Sequence, residues 1–167
     1  MRRPFTSDNK EKIGDMIFWM IHAIQRLTAA VMVEKTYRPP SFKKDIAKYL
    51  TENNKKFVED QHFLIGKRLK ARIDFSSQTR DQLVISRALS YTNISEAVTF
   101  SEKFVHETDM IKEKRRERVF PLAIIDDSVQ TAEKEPVFNE DVLYLLKKVK
   151  VIPWSEKDDL LEIFPSQ

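Results

Sequence analysis

Residues 57–91 read FVEDQHFLIGKRLKARIDFSSQTRDQLVISRALSY, and the fold turns on whether this stretch is helical. Phe57, Phe63, Leu64 and Ile65 open it, and a basic run follows in which Leu69 and Ile73 turn inward. That spacing predicts a helix. Ser76-Ser77 then punctuates the chain and can cap a further helix over residues 78–91, with Leu83, Val84, Ala88 and Leu89 as its apolar set.

The flanking sequence is read the same way. Upstream, Ser41 can cap a helix with Phe42, Ile46, Tyr49 and Leu50 on one side, and Asn53-Asn54 breaks it. Before Pro39-Pro40, Asp8 and Glu11 form a capping box for a first helix carrying Ile13, Ile17, Met20, Ile24, Leu27 and Val31. Phe18, Trp19, Ile21 and Met32 lie on its other faces. A helix apolar over most of its circumference is buried deeply or shared with another chain. Downstream, Asn93-Ile94-Ser95-Glu96 opens a long helix to about Arg118. Residues 119–125 form a short extended segment. Asn139-Glu140-Asp141 starts another helix that Pro153 stops, and residues 154–164 make a last short one. The expected fold class is therefore an all-α bundle of about five to seven helices, with the extended segment near 119–125 and a small C-terminal helical appendage.

Composition narrows the function classes. With 41% hydrophobic and 33% charged residues, the 167-residue chain can bury a core and is not disordered throughout. It contains no cysteine, which removes disulfides, thiolate metal sites and cysteine nucleophiles, and fits a cytoplasmic or other reducing intracellular compartment. Its two glycines, Gly14 and Gly66, cannot form the clustered-glycine loops of phosphate-loop or dinucleotide folds. The longest uncharged stretch of the first helix, residues 16–25, is too short for a membrane span, which needs about 20 apolar residues. Asp8 and Glu11 precede any apolar segment and argue against a targeting peptide.

Charge is unevenly spread. Residues 119–167 hold five Lys/Arg and ten Asp/Glu, so −5; the formal total of +3 leaves +8 for residues 1–118. The chain reads as a basic helical domain, 1–118, and an acidic segment, 119–167, packing on it or on a partner. Residues 37–72 carry ten Lys/Arg against four Asp/Glu, interleaved with Phe42, Tyr49, Phe57 and Phe63. Cations neutralise phosphates and exposed aromatics stack bases, so Lys67, Arg68, Lys70 and Arg72 are candidate nucleic-acid-binding residues. Lys112, Lys114, Arg115 and Arg116 form a second such group, part of which complements the dipole at a helix C-terminus.

Other constellations are weaker. Residues 80–104 offer a helix-turn-helix spacing without the turn glycine, which favours an ordinary helical hairpin. Glu59 and His62 share a helix face in a Glu-x-x-His spacing, and Glu102, His106 and Asp109 share another; both read as surface ion-pair positions, because a dinuclear site needs two such motifs and two further Glu. Asp126-Asp127 follow the apolar run 122–125 like residues at a strand end, where burial of one carboxyl would permit acid–base work. They adjoin a polar loop, so solvated loop acids are the simpler reading. No nucleophile–base pair is legible. The chain is therefore expected to be non-enzymatic, without metal or cofactor: an assembly or adaptor protein acting through protein–protein contacts or self-association, as a subunit of a larger complex. Phe18, Trp19, Met32, Trp154, Leu160, Leu161 and Phe164 are its candidate partner-binding residues, and the alternative is nucleic-acid binding through the basic faces.

Overall fold

A computed structural model describes residues 40–167 except Arg68, Arg80 and Gln167. It overturns the helical bundle. The stretch 57–91 is neither of the expected helices but most of three strands: β1 Val58–Leu64, β2 Lys70–Gln78 and β3 Gln82–Leu89. With β4 Arg118–Ile125 and β5 Lys150–Pro153 they form a five-stranded sheet in the order β1-β2-β3-β4-β5. β1 with β2 and β2 with β3 pair antiparallel, whereas β4 runs parallel to β3 and β5 parallel to β4.

Each connection follows from the local sequence. Ile65–Leu69 closes the first hairpin, where the amides of Ile65 and Gly66 both donate to the Leu69 carbonyl. A Cβ at Gly66 would sit 3.2 Å from that of Leu69, a close contact across the turn. Thr79 closes the second turn by backbone and hydroxyl bonds to Gln82. Ser76 and Ser77 are buried strand residues rather than caps; the Ser77 hydroxyl donates to the Lys56 carbonyl at 2.7 Å. The parallel pairs need crossovers. α2, Ile94–Lys114, joins β3 to β4, and α3, Glu140–Leu145, lies between β4 and β5. Both begin at an Asn whose side chain accepts the amide three residues on: Asn93 from Glu96 at 2.8 Å and Asn139 from Val142 at 3.1 Å.

Helices cover both faces of the sheet. On one, Leu83, Ile85, Leu89, Ala123 and Ile125 pack with Ala97, Phe100, Phe104 and Ile111 of α2 and Val142 of α3. On the other, Phe75, Val84, Ala88, Leu122, Ile124 and Ile152 pack with Phe42, Ile46 and Leu50 of α1, Pro40–Glu52. A 3-10 turn, Trp154–Asp159, and the single turn α4, Leu160–Ile163, close that side. This double coverage explains the misreading. A strand buried on both faces presents a continuous apolar run such as Leu83-Val84-Ile85, which periodicity alone cannot separate from a helix. The extended segment near 119–125 and the last short helix were legible, as was α2. The helix expected over residues 139–152 instead ends at Leu145 and yields to β5.

Residues from Val119 onward supply most of β4 and all of β5, which pair within the same sheet as β3. The apolar first-helix stretch lies outside the described residues. Among the described residues no helix is long and apolar enough to cross a membrane.

Candidate nucleic-acid interface

The fold carries the two basic groups on separate elements and links them through a ring. Lys67, Lys70 and Arg72 belong to the tip and outgoing strand of the β1–β2 hairpin, and all three are exposed. Lys112 and Lys114 occupy the last turn of α2, and Arg115 caps its end. The Arg115 guanidinium lies 5.2 Å from the centre of the Phe63 ring, and Phe63 pairs with Ala71 across the hairpin. The cationic end of α2 is thereby placed against the basic hairpin. Arg68 lies outside the described residues.

The cations differ in how far they are already engaged. Arg72 contacts Asp60 at 2.8 Å, and Lys43 of α1 reaches the same carboxylate at 2.6 Å. Burial works against ionisation of Asp60 and is the largest single influence, but the hydrogen bonds and charges of Lys43 and Arg72 together outweigh it and hold the carboxyl below its ordinary range. Asp60 is also left-handed, with φ 54°. Arg115 is paired with Glu117 at 3.1 Å. Lys67, Lys70, Lys112, Lys114 and Arg116 are exposed and make no ion pair among the described residues. Between Gln61 and Ile73 the chain carries Lys67, Arg68, Lys70 and Arg72 and no acid at all.

The aromatics interleaved with these charges do not form an exposed stacking surface. Phe42 and Phe63 are buried, at 5% and 3% exposure. Phe57 packs edge-on against Phe75, and Tyr49 against Trp154. The Tyr49 hydroxyl donates to Asp158 at 2.5 Å; that hydrogen bond first, then burial and the negative charge, push the phenol up to about 12.

The remaining candidates are placed as follows. Glu59 and His62 lie on β1, not on a helix, so the shared helix face that the metal reading needed does not exist. Among the described residues no three His, Cys, Asp or Glu side chains cluster to hold a metal. Asp109 pairs with Lys148 at 3.3 Å, and His106 is exposed. The helix-turn-helix spacing is excluded because its first element is β3. Asp126 and Asp127 do follow the end of β4. Asp126 accepts the hydroxyls of Ser90 and Ser128 at 2.9 and 2.6 Å. Asp127 accepts the amide and hydroxyl of Ser155 at 3.1 and 2.5 Å. Burial raises Asp127 most, yet the bonds from Ser155, with backbone amides of Asp127 and Trp154, prevail and lower it. That is opposite to what a carboxylic acid donating a proton at neutral pH requires.

Of the partner-binding candidates, Phe18, Trp19 and Met32 lie outside the described residues. Leu160 and Phe164 are buried at 0% and 1% exposure inside the chain's own core, so they present nothing to a partner. Trp154 is half-buried against Phe42 and Tyr49, and Leu161 is half-buried.

Sequence reasoning missed a buried charged pair. Arg87 of β3 and Glu107 of α2 meet at 2.9 Å, and the Arg87 guanidinium lies 5.3 Å from the Phe104 ring centre. Arg87 also donates to the Arg72 carbonyl, and the Asp74 carboxylate accepts the Ala88 amide at 3.0 Å. Backbone pairing between β2 and β3 spans only residues 75–78 and 83–86, so these side chains bridge the strands where their ladder ends. The available signal was an arginine inside an otherwise uncharged run, residues 82–91.

Comparison with protein-family models, with curated proteins and with solved structures finds no match for this chain.

Proposed function

We propose that this protein binds nucleic acid, chiefly through its phosphates, with the β1–β2 hairpin tip and the C-terminal end of α2. The observation that carries the reading is the packing of Arg115 on Phe63, which sets the cationic end of α2 against the hairpin that carries Lys67 and Lys70, some forty residues away in sequence. Exposed cations gathered on one region release counterions when they meet a polyanion, and that release supplies most of the sequence-independent affinity. Of the candidates for the alternative assembly reading, Leu160 and Phe164 are buried in the chain's own core, while Trp154 and Leu161 are half-buried.

The test is fluorescence anisotropy with a labelled DNA duplex of mixed sequence between about 50 and 200 mM salt. Binding is expected to weaken steeply, the logarithm of the association constant falling linearly with that of the salt concentration. The variant K112A/K114A/R116A removes three exposed charges and leaves Arg115 on Phe63. Its slope is expected to flatten by up to about 0.9 for each residue that contacts a phosphate. No binding at the lowest salt, or a slope unchanged in the triple variant, removes this interface.

A further inference from the structure

We infer that the ligand is a B-form duplex, with the tip of the β1–β2 hairpin in its major groove and the end of α2 on the adjoining phosphates. This rests on the nucleic-acid reading above and specifies its substrate. Three observations carry it. The first concerns stacking. Proteins that hold single strands without sequence preference stack bases on exposed aromatic faces. Phe63, the aromatic centred in this region, is 3% exposed and has Arg115 against its ring. Among the described aromatics Tyr144 is the prominently exposed one, at 64%, and it lies on α3 with the Lys147 ammonium 4.0 Å from its ring centre. Among the described residues the region therefore offers cations without an exposed Phe, Tyr or Trp on which unstacked bases could stack.

The second observation is the shape of the basic element. A two-stranded antiparallel ribbon, its strands about 4.8 Å apart, suits a major groove about 12 Å wide. β1 and β2 pair continuously to the turn, from His62 with Arg72 to Leu64 with Lys70, and the amides of Ile65 and Gly66 close it on the Leu69 carbonyl. A-form RNA has a deep, narrow major groove that such an element cannot enter. The third is the arrangement at the tip. Leu69 is 66% exposed between Lys67 and Lys70, an apolar side chain among cations. In a major groove, apolar side chains meet thymine methyl groups while flanking cations reach phosphate oxygens. An anionic membrane surface also combines apolar and negative contacts, and it enters the test as a competing outcome.

The experiment compares four labelled probes at one salt concentration with the full chain: a DNA duplex, its separated single strand, an RNA duplex of equal length, and vesicles of phosphatidylserine with phosphatidylcholine. The DNA duplex is expected to bind severalfold more tightly than either other nucleic acid, and a small ligand filling its minor groove is expected to leave that binding unchanged. Equal or tighter binding of the single strand overturns the duplex assignment. Equal binding of the RNA duplex, or competition by the minor-groove ligand, overturns the groove assignment while leaving phosphate binding in place. Binding to vesicles alone, or to none of the probes, defeats the nucleic-acid reading itself.

Discussion

Arg87 and Glu107 meet in the interior with side chains only 3% and 9% exposed, so neither charge has water to fall back on. Each is tolerable only because the other is present. Removing one partner of such a pair leaves an uncompensated buried charge and costs about 3–5 kcal/mol, whereas replacing both with apolar residues of similar volume is often neutral. Arg87→Met is therefore expected to lower the urea midpoint sharply, and R87M/E107L to recover much of the loss. Equal destabilisation by the single and double variants would show that the charges do not depend on each other. Tyr49 gives a second residue-scale expectation. Its phenol is raised to about 12, so the folded state favours the protonated form. The stabilisation from its bond to Asp158 is present below the ordinary phenol value of about 10 and is lost as pH rises through about 12. Ultraviolet difference titration of wild type against Tyr49→Phe should assign to Tyr49 an ionisation later than that of a free phenol. A normal Tyr49 titration would mean the hydrogen bond is not held in solution.

At the scale of elements, α2 depends on its first turn. Asn93 accepts the Glu96 amide at 2.8 Å, which satisfies a donor that the helix itself cannot. Asn93→Ala is expected to cost about 1 kcal/mol, and Asn93→Ser to retain most of that, measured by chemical denaturation. The capping box made this element readable in advance, because its signal is local: a side chain and an amide three residues apart. The same holds for Asn139 and for the strand following Arg118, where Pro121 and a run of apolar residues mark extended backbone. The three strands in residues 57–91 were not readable in that way. Val84 serves one face of the sheet and Leu83 and Ile85 the other, and only the helices packed on both faces make that run a strand. Ser76-Ser77, which resemble a cap in sequence, are buried by long-range neighbours: Ser76 donates to Gln61 and Ser77 to the Lys56 carbonyl. The candidate interface divides along the same line. Its cations were legible residue by residue, but their meeting depends on Arg115 packing against Phe63, a contact between residues far apart in sequence.

At the scale of the whole molecule, the basic surface is held partly in check by one carboxylate. Asp60 receives both Lys43 of α1 and Arg72 of the hairpin, and it stays ionised below the ordinary carboxylate range because those two contacts outweigh its burial. A lowered folded-state value means the ion pairs add stability above the unfolded carboxylate value of about 3.9, and that contribution fades as pH falls through the lower folded value. If the protein binds phosphates as proposed, the same carboxylate competes with them for Arg72 at neutral pH. Asp60→Asn removes one negative charge, and asparagine tolerates the left-handed backbone of φ 54° at this position. Two opposing effects are then expected from a single substitution. Stability falls modestly, since these pairs are partly exposed and screened. Affinity for duplex DNA rises, and the salt dependence steepens by up to about 0.9 as Arg72 becomes free to contact a phosphate. Denaturation and anisotropy on the same preparation separate the two. Unchanged affinity and salt slope in a folded Asp60→Asn protein would place Arg72 outside the contact surface and confine the interface to the hairpin tip and the end of α2.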